Sequence, residues 1–278
     1  MFYEEFTLHN ADGRPFSCDI RYPQGNEILP VIIFVHGFKG FKDWGHFNLL
    51  ANTFAKSDLC FVKINLSMNG TTPTHPTDFV DLEAFGRQTY AQDLADIGTL
   101  IDHLHQEDTP YRAQLNLDKL YLLGHSRGGC VCLLKAVAEP RVKAVATWAS
   151  VSTADFAWNE ARIKEVEEKG VTYIANARTQ QQMPLYASVH EEGETIDLAA
   201  QVAKLDVPAL FIHGMQDTSQ PYNNAEQLFG WGKDTNLFLI PDTGHTFDGK
   251  HPYEASYLPE ATLQAIRQSV YFFKGTVV

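Results

Sequence analysis

Cysteine is scarce, basic charge is in deficit, and long apolar runs are missing. The four cysteines are Cys18, Cys60, Cys130 and Cys132. No C-x-x-C occurs, and a zinc site would need tighter clustering with histidine, so no metal is expected. Thiols without paired spacing read as free, buried groups in a reducing compartment. Lys and Arg number 22 against 34 Asp and Glu, a formal net charge of −12, with no basic run to offset it. That balance argues against a surface that tracks phosphates, and no nucleic-acid partner is expected. The apolar runs fall far short of the ~20 residues a membrane-spanning helix needs, so no membrane partner is expected either. Met1 to Phe6 lacks a basic segment followed by an apolar one, which reads as no export signal and predicts a cytoplasmic location. Internal repeats and low-complexity stretches are also missing.

What remains is an ordinary globular chain of 278 residues, 44% hydrophobic and 20% charged. A domain of this size buries roughly 75% of its unfolded surface, so no disulfide or metal staple is required. Two alternating runs, Phe2 to His9 and Phe16 to Tyr22, flank Asn10-Ala-Asp-Gly13, and Asp-Gly in that setting predicts a hairpin. Pro30 to Val35 is a short β-branched run, suited to a strand covered on both faces. A helix is predicted over His46–Lys56, a strand over Leu59–Leu66, and a Thr- and Pro-rich loop over Thr71–Asp78. Tyr90, Leu94, Ile97, Ile101 and Leu104 recur at spacings of three and four, which predicts a helix over Gln88–His105. Strands follow at Lys119–Leu123, Val142–Trp148, Val207–His213 and Asn236–Ile240. Helices are predicted after the first of these through Ala138, at Tyr222–Phe229 and at Pro259–Phe273. Such alternation predicts a largely parallel sheet with helices on both faces. It breaks over Ser152–Lys204, where no strand is evident, and that stretch reads as a helical insertion. The charged run Arg162–Lys169 within it reads as a solvated helix face.

Gly124-His-Ser-Arg-Gly128 matches G-x-S-x-G between an apolar strand and a helix-forming run. The turn is tight enough to strain the serine backbone and to demand small neighbours. Ser126 is thus the candidate nucleophile, and a serine hydroxyl needs a base. Catalytic groups in α/β sheets gather at the carboxyl ends of strands. Asp217 follows the strand ending at His213, and His245 follows the strand ending at Ile240. Their order, Ser126, Asp217, His245, supplies nucleophile, orienting acid and base. The base must be neutral to accept the serine proton, so activity is expected to fall as it becomes protonated. Asp242 reads as a loop-turning residue, His213 as a buried packing residue pointing away from the loop, and His103 and His105 as surface or interface residues. His251 is placed beside the site. Two N–H donors are needed for the oxyanion, and the backbones of Arg127 and Phe38 are the candidates, with Gly37 letting the chain bend towards the site. His36 reads as a brace for that loop.

Together, Gly124-His-Ser-Arg-Gly128, His36-Gly37, His213-Gly-Met-Gln-Asp217 and Gly244-His245 resemble the α/β-hydrolase superfamily over nearly the whole chain. The nearest likeness is to small esterases and to dienelactone-hydrolase-like or serine-aminopeptidase-like members. The resemblance implies an eight-stranded, mostly parallel sheet, a cap inserted after the sixth strand, acyl-serine chemistry and no cofactor. The core would be 1–151 and 205–278, the cap 152–204. Two departures stand out. Asp217-Thr-Ser-Gln-Pro221 lacks the Val-Pro common after the acid, and His36-Gly-Phe lacks the His-Gly-Gly-Gly oxyanion loop of hormone-sensitive-lipase-like enzymes. Within the cap, Trp158 and Tyr186 either line an acyl pocket or pack the cap onto the core. Arg178 either binds a substrate carboxylate or forms a structural salt bridge. The expected partner is a small-molecule acyl substrate, and the chain is compatible with a monomer or homodimer.

Two rivals stay open. An amide or peptide hydrolase would use the same triad and need acidic groups near the cap, with Glu191, Glu192 and Glu194 as candidates. A non-catalytic binding protein on the same fold would show a missing triad member, and none is missing.

Overall fold

The computed structural model describes residues 1–275 apart from Asn26. The chain opens with the expected hairpin of β1 (Phe2–His9) and β2 (Pro15–Tyr22), paired antiparallel. Asn10 makes its turn, because the side-chain Oδ1 accepts the N–H groups of Asp12 and Arg14. Strand β3 (Leu29–Val35), helix α1 (Phe47–Ala55) and strand β4 (Cys60–Ile64) follow. Then come α2 (Leu82–Gly86), α3 (Tyr90–Leu104), β5 (Leu115–His125), α4 (Arg127–Ala138) and β6 (Val142–Trp148). Helix α3 starts where Thr89 and Gln92 form a capping box, two residues inside the predicted boundary. Helix α2, which the sequence pattern did not reveal, is a single turn capped by Asp81.

The main sheet has eight strands in the order β1-β2-β4-β3-β5-β6-β9-β10. Here β9 is Ala209–Gly214 and β10 is Thr235–Ile240. Strand β2 is antiparallel to both its neighbours, whereas β4, β3, β5, β6, β9 and β10 run parallel. The parallel strands explain the unbroken Val, Ile and Leu runs, since helices cover both faces. On one face Ile33, Val62 and Leu122 pack with Ile97 and Ile101 of α3 and Val131 of α4. On the other, Ile32, Phe34 and Ala146 pack with Phe54 of α1 and with Ala265, Ile266 and Phe273 of α9 (Glu260–Phe273). Each fully buried Ile or Phe contributes roughly 1.5–3 kcal/mol relative to exposure.

The stretch 152–204 departs from the helical reading. It contains α5 (Glu160–Lys169), β7 (Val171–Ala175), β8 (Gln182–Tyr186), α6 (Ala187–Thr195) and α7 (Leu198–Val202). Strands β7 and β8 pair as an antiparallel hairpin. The signal was muted because Pro184 sits inside β8, and proline is tolerated only where a strand lacks a second neighbour. Leu198 and Val202 of α7 belong to the main core beside Leu228 of α8 (Asn223–Trp231). Among the described residues, no helix is long and apolar enough to cross a membrane.

Candidate active site

The turn between β5 and α4 holds Ser126 at φ 56° and ψ −124°, a left-handed conformation that non-glycine residues rarely adopt. A Cβ on Gly124 would lie 2.1 Å from the Gly128 carbonyl oxygen, and one on Gly128 would lie 2.4 Å from that of Val35. Both glycines are therefore required by close backbone approach. The Ser126 N–H donates to the Trp148 carbonyl at 2.8 Å, tying the turn to β6. Among the described residues the Ser126 hydroxyl has no hydrogen-bond partner, and it lines a cavity of about 350 Å³.

His245 lines the same cavity. Its Nδ1 donates to Asp217 Oδ2 at 2.7 Å. The N–H groups of Ser219 and Gln220 donate to Asp217 Oδ1, each at 2.8 Å. Burial alone would raise the Asp217 carboxyl, but hydrogen bonds from His213, His245 and the backbone hold it well below the usual carboxylate range. With Nδ1 donating, His245 Nε2 is left as a bare acceptor. Asp242 does not compete for this position. It turns the loop at φ 57° and accepts from Gln216.

Two histidines have roles that residue type and spacing did not disclose. His213 is buried, as expected, yet it does not point away: its Nε2 lies 3.1 Å from Asp217 Oδ2 and 2.9 Å from the Gln220 carbonyl. Both neighbours are acceptors, so Nε2 carries the proton and His213 is a donor to the acid. His125, inside the Gly124–Gly128 turn, donates from Nε2 to the His245 carbonyl at 2.9 Å. Burial pushes its imidazole down to about 3, so it stays neutral and holds the loop that carries His245.

Phe38 follows Gly37, whose added Cβ would lie 2.8 Å from Ser126 Cβ. The loop thus passes directly over the serine. Among the described residues the Phe38 N–H finds no acceptor. That of Arg127 lies in the first turn of α4, where no helical carbonyl precedes it. His36 braces the loop: it faces the Gly37 carbonyl through Nδ1 at 2.9 Å and the Leu66 N–H through Nε2 at 3.3 Å. The Arg127 side chain points elsewhere, into a buried ion pair with Asp93 of α3.

The cap residues divide. Arg178 lines the Ser126 cavity and makes no salt bridge among the described residues. Trp158 does not line it. The indole lies 4.8 Å from the His190 ring, tilted against it, and borders a separate void of about 20 Å³. Tyr186 does not line it either, because its ring lies under the Arg87 guanidinium and its hydroxyl donates to Glu83. Both pack the cap onto α2 and its surroundings. His251 accepts the Gly45 N–H at 2.8 Å and stacks on Trp44, bracing the cavity wall from behind. Among the described residues, no three His, Cys, Asp or Glu side chains converge as a metal site would require.

A family model described as alpha/beta hydrolase fold matches residues 30–169, the segment from β3 through the elbow to α5. The chain belongs to the α/β-hydrolase family. Among solved structures, this α/β-hydrolase resembles Est1E from Butyrivibrio proteoclasticus with a TM-score of 0.69 at 19% identity, covering 97% of this chain and 99% of that one. The alpha/beta hydrolase GrgF from Penicillium sp. sh18 gives 0.76 at 13% identity, covering 99% and 98%. The esterase domain of a Rhodothermus marinus protein gives 0.66 at 17% identity, covering 99% of each. At such identities the likeness is one of fold. A curated relative, 2,6-dihydropseudooxynicotine hydrolase of Paenarthrobacter nicotinovorans, is 24% identical over 208 residues. That match covers 74% of this chain and 49% of the relative, so the α/β-hydrolase spans about half the relative's length.

Proposed function

We propose that this hydrolase cleaves a carboxylic ester through an acyl-serine intermediate. One observation carries the reading. Ser126 presents a free hydroxyl on a strained turn, into the cavity that also receives a histidine held at Nδ1 by a buried carboxylate. Ser126 Oγ attacks the ester carbonyl carbon while its proton passes to His245 Nε2. The carbonyl electron pair moves onto oxygen, which the Phe38 and Arg127 N–H groups receive. Collapse expels the alcohol oxygen, which takes the proton from His245. Water then repeats the sequence on the acyl-serine, releasing the acid and restoring Ser126.

The ester reading is favoured over an amine-terminated peptide substrate by where the cap acids lie. Glu192 accepts the N–H groups of Tyr90 and Ala91 at the start of α3, and Glu194 lies 3.7 Å from His190. Among the described residues no Asp or Glu lines the cavity, so an ammonium group finds no counter-charge from them there. Phe38, Trp44 and Phe47 on its wall suit a flat, apolar portion of a small-molecule ester. Est1E, a relative in fold, has itself been solved with ferulic acid bound.

Fluorophosphonate labelling with intact-mass detection tests the nucleophile: one adduct is expected on the wild-type chain and none on Ser126→Ala. A panel of nitrophenyl esters against aminoacyl anilides tests the bond. Turnover of anilides ahead of esters would replace the ester reading with the amide one.

A further inference from the structure

Among the described residues, the Ser126 cavity is lined by two cations, Lys39 and Arg178, and by no carboxylate. In a chain of 34 acidic and 22 basic residues, that inverts the overall balance. Neither cation has an ion-pair partner among the described residues. Lys39 Nζ donates to the Ala175 carbonyl at 3.2 Å, and Arg178 lies 5.6 Å over the Phe41 ring. Elsewhere on the surface, by contrast, Arg87 beside α2 pairs with Glu83, and Lys169 of α5 with Glu165.

The two charges are also held together. Lys39 reaches Ala175, the last residue of β7, from the loop that passes over Ser126, and its own backbone is left-handed at φ 56°. Asn176, next in the chain and buried, accepts the Arg178 N–H on Oδ1 at 3.1 Å and the Gln180 N–H on its carbonyl at 2.8 Å. The β7–β8 turn is thereby fixed, with Arg178 at the cavity. The Asn176 Nδ2, a buried donor on a residue lining that cavity, has no partner among the described residues. Burial and the neighbouring Arg162 lower the Lys39 ammonium, an imbalance that a bound anion would reverse.

We propose that Arg178 and Lys39 bind a carboxylate carried by the substrate away from its scissile ester, so that the enzyme selects mono-anionic esters over neutral ones of the same size. The planar guanidinium fork matches a carboxylate in two-point contact, and the lysine adds a point charge. This deepens the esterase reading and rests on it. Arg178 is exposed and Lys39 half-buried, so the pair works at the cavity rim, where losing one two-point charge-assisted contact is expected to cost roughly tenfold in selectivity.

The experiment compares kcat/KM for mono-4-nitrophenyl adipate with that for its methyl ester. The wild-type ratio is expected to favour the anionic ester by about tenfold or more, and to shrink as NaCl rises from about 50 to about 500 mM. Arg178→Gln and Lys39→Gln should each cut the ratio, Arg178→Gln by roughly tenfold. A wild-type ratio near or below one, or a ratio that Arg178→Gln leaves intact, overturns the proposal. Stronger inhibition by inorganic phosphate than by adipate would overturn the carboxylate assignment. Failure of the esterase reading looks different: neither ester turns over and fluorophosphonate does not label. Calorimetric titration of Ser126→Ala with adipate, with and without Arg178→Gln, still measures carboxylate binding in that event. Weaker binding in the double variant supports the site, and equal binding overturns it.

Discussion

A Cβ on Gly214 would lie 2.5 Å from the Thr243 carbonyl oxygen, which shows how closely the loops bearing Asp217 and His245 are pressed together. The Met215 N–H reaches Ile240 and the Gln216 N–H reaches Thr243, both at 2.9 Å, so any parting of these loops separates acid from base. The 2.7 Å contact between them sets the histidine tautomer. Asp217→Asn keeps the shape but lets an amide N–H oppose His245 Nδ1. It is therefore expected to lower kcat/KM by roughly 10³–10⁴-fold, measured on a nitrophenyl ester. A loss under about tenfold would reassign the acid. His213 acts one contact further out, donating to the same carboxylate. His213→Leu is expected to cost about threefold to tenfold, and His213→Gln, which can keep a donor, less. Equal losses in the two variants would reduce His213 to packing. Ser126, Asp217 and His245 were legible because few residue types perform their chemistry and their order along the chain is informative. The histidine contacts were not legible, because a ring nitrogen's partner is decided by tertiary packing.

The loop between β3 and α1 carries Gly37 and Phe38, and a buried charge network anchors its far end. Lys42 Nζ donates to Asp19 Oδ2 of β2 at 2.9 Å and to Asp43 at 2.6 Å. Lys63 of β4 contacts Asp43 and donates to Asn48 Oδ1 at 2.8 Å. Lys42, Lys63 and Asp19 are all buried. Arg21 also pairs with Asp19, and Glu5 with Lys42, so the buried Asp19 carboxylate is shared by three cations, and removing its charge leaves the buried ammonium groups without their counterpart. Asp19→Asn is expected to destabilise by roughly 3–5 kcal/mol, read as a shift in urea midpoint. A shift under about 1 kcal/mol would mean that water enters the network. None of this was apparent beforehand, because which lysine is buried beside which carboxylate is decided by tertiary packing. The hairpin β7–β8 was missed for a related reason: its pairing is local, but Pro184 and the polar turn mask the alternation. The main-sheet strands were legible because burial on both faces forces continuous apolar runs.

Acid stability draws these parts together, because the core of this acidic chain holds neutral histidines as well as charges. Burial pushes His36 and His46 down to about 4 and His125 to about 3. An exposed histidine in the unfolded chain titrates near 6.5. Between that value and 4 the unfolded chain binds protons that the fold refuses, so stability falls as pH drops through this window. Asp96 works in the opposite direction. Burial raises its carboxyl to about 7, so the fold keeps a proton that the unfolded chain releases, and acid favours the fold there. Each unit of displacement is worth about 1.4 kcal/mol, and three histidines outweigh one carboxyl. Asp217, held well below the usual range, adds stability above its unfolded value that is lost only under about pH 4. Urea midpoints are therefore expected to decline from pH 6.5 to 4.5. His46 offers the cleanest test. Its Nε2 lies 3.2 Å from Thr262 Oγ1, whose own proton goes to the Phe247 carbonyl, so Nε2 is the donor, and the buried Nδ1 has no partner among the described residues. Glutamine can keep that donor and cannot take up a proton. His46→Gln should flatten the decline, with the gap between variant and wild type closing as pH falls. Parallel midpoint curves would place the acid sensitivity elsewhere, with His36 and His125 the next positions to substitute.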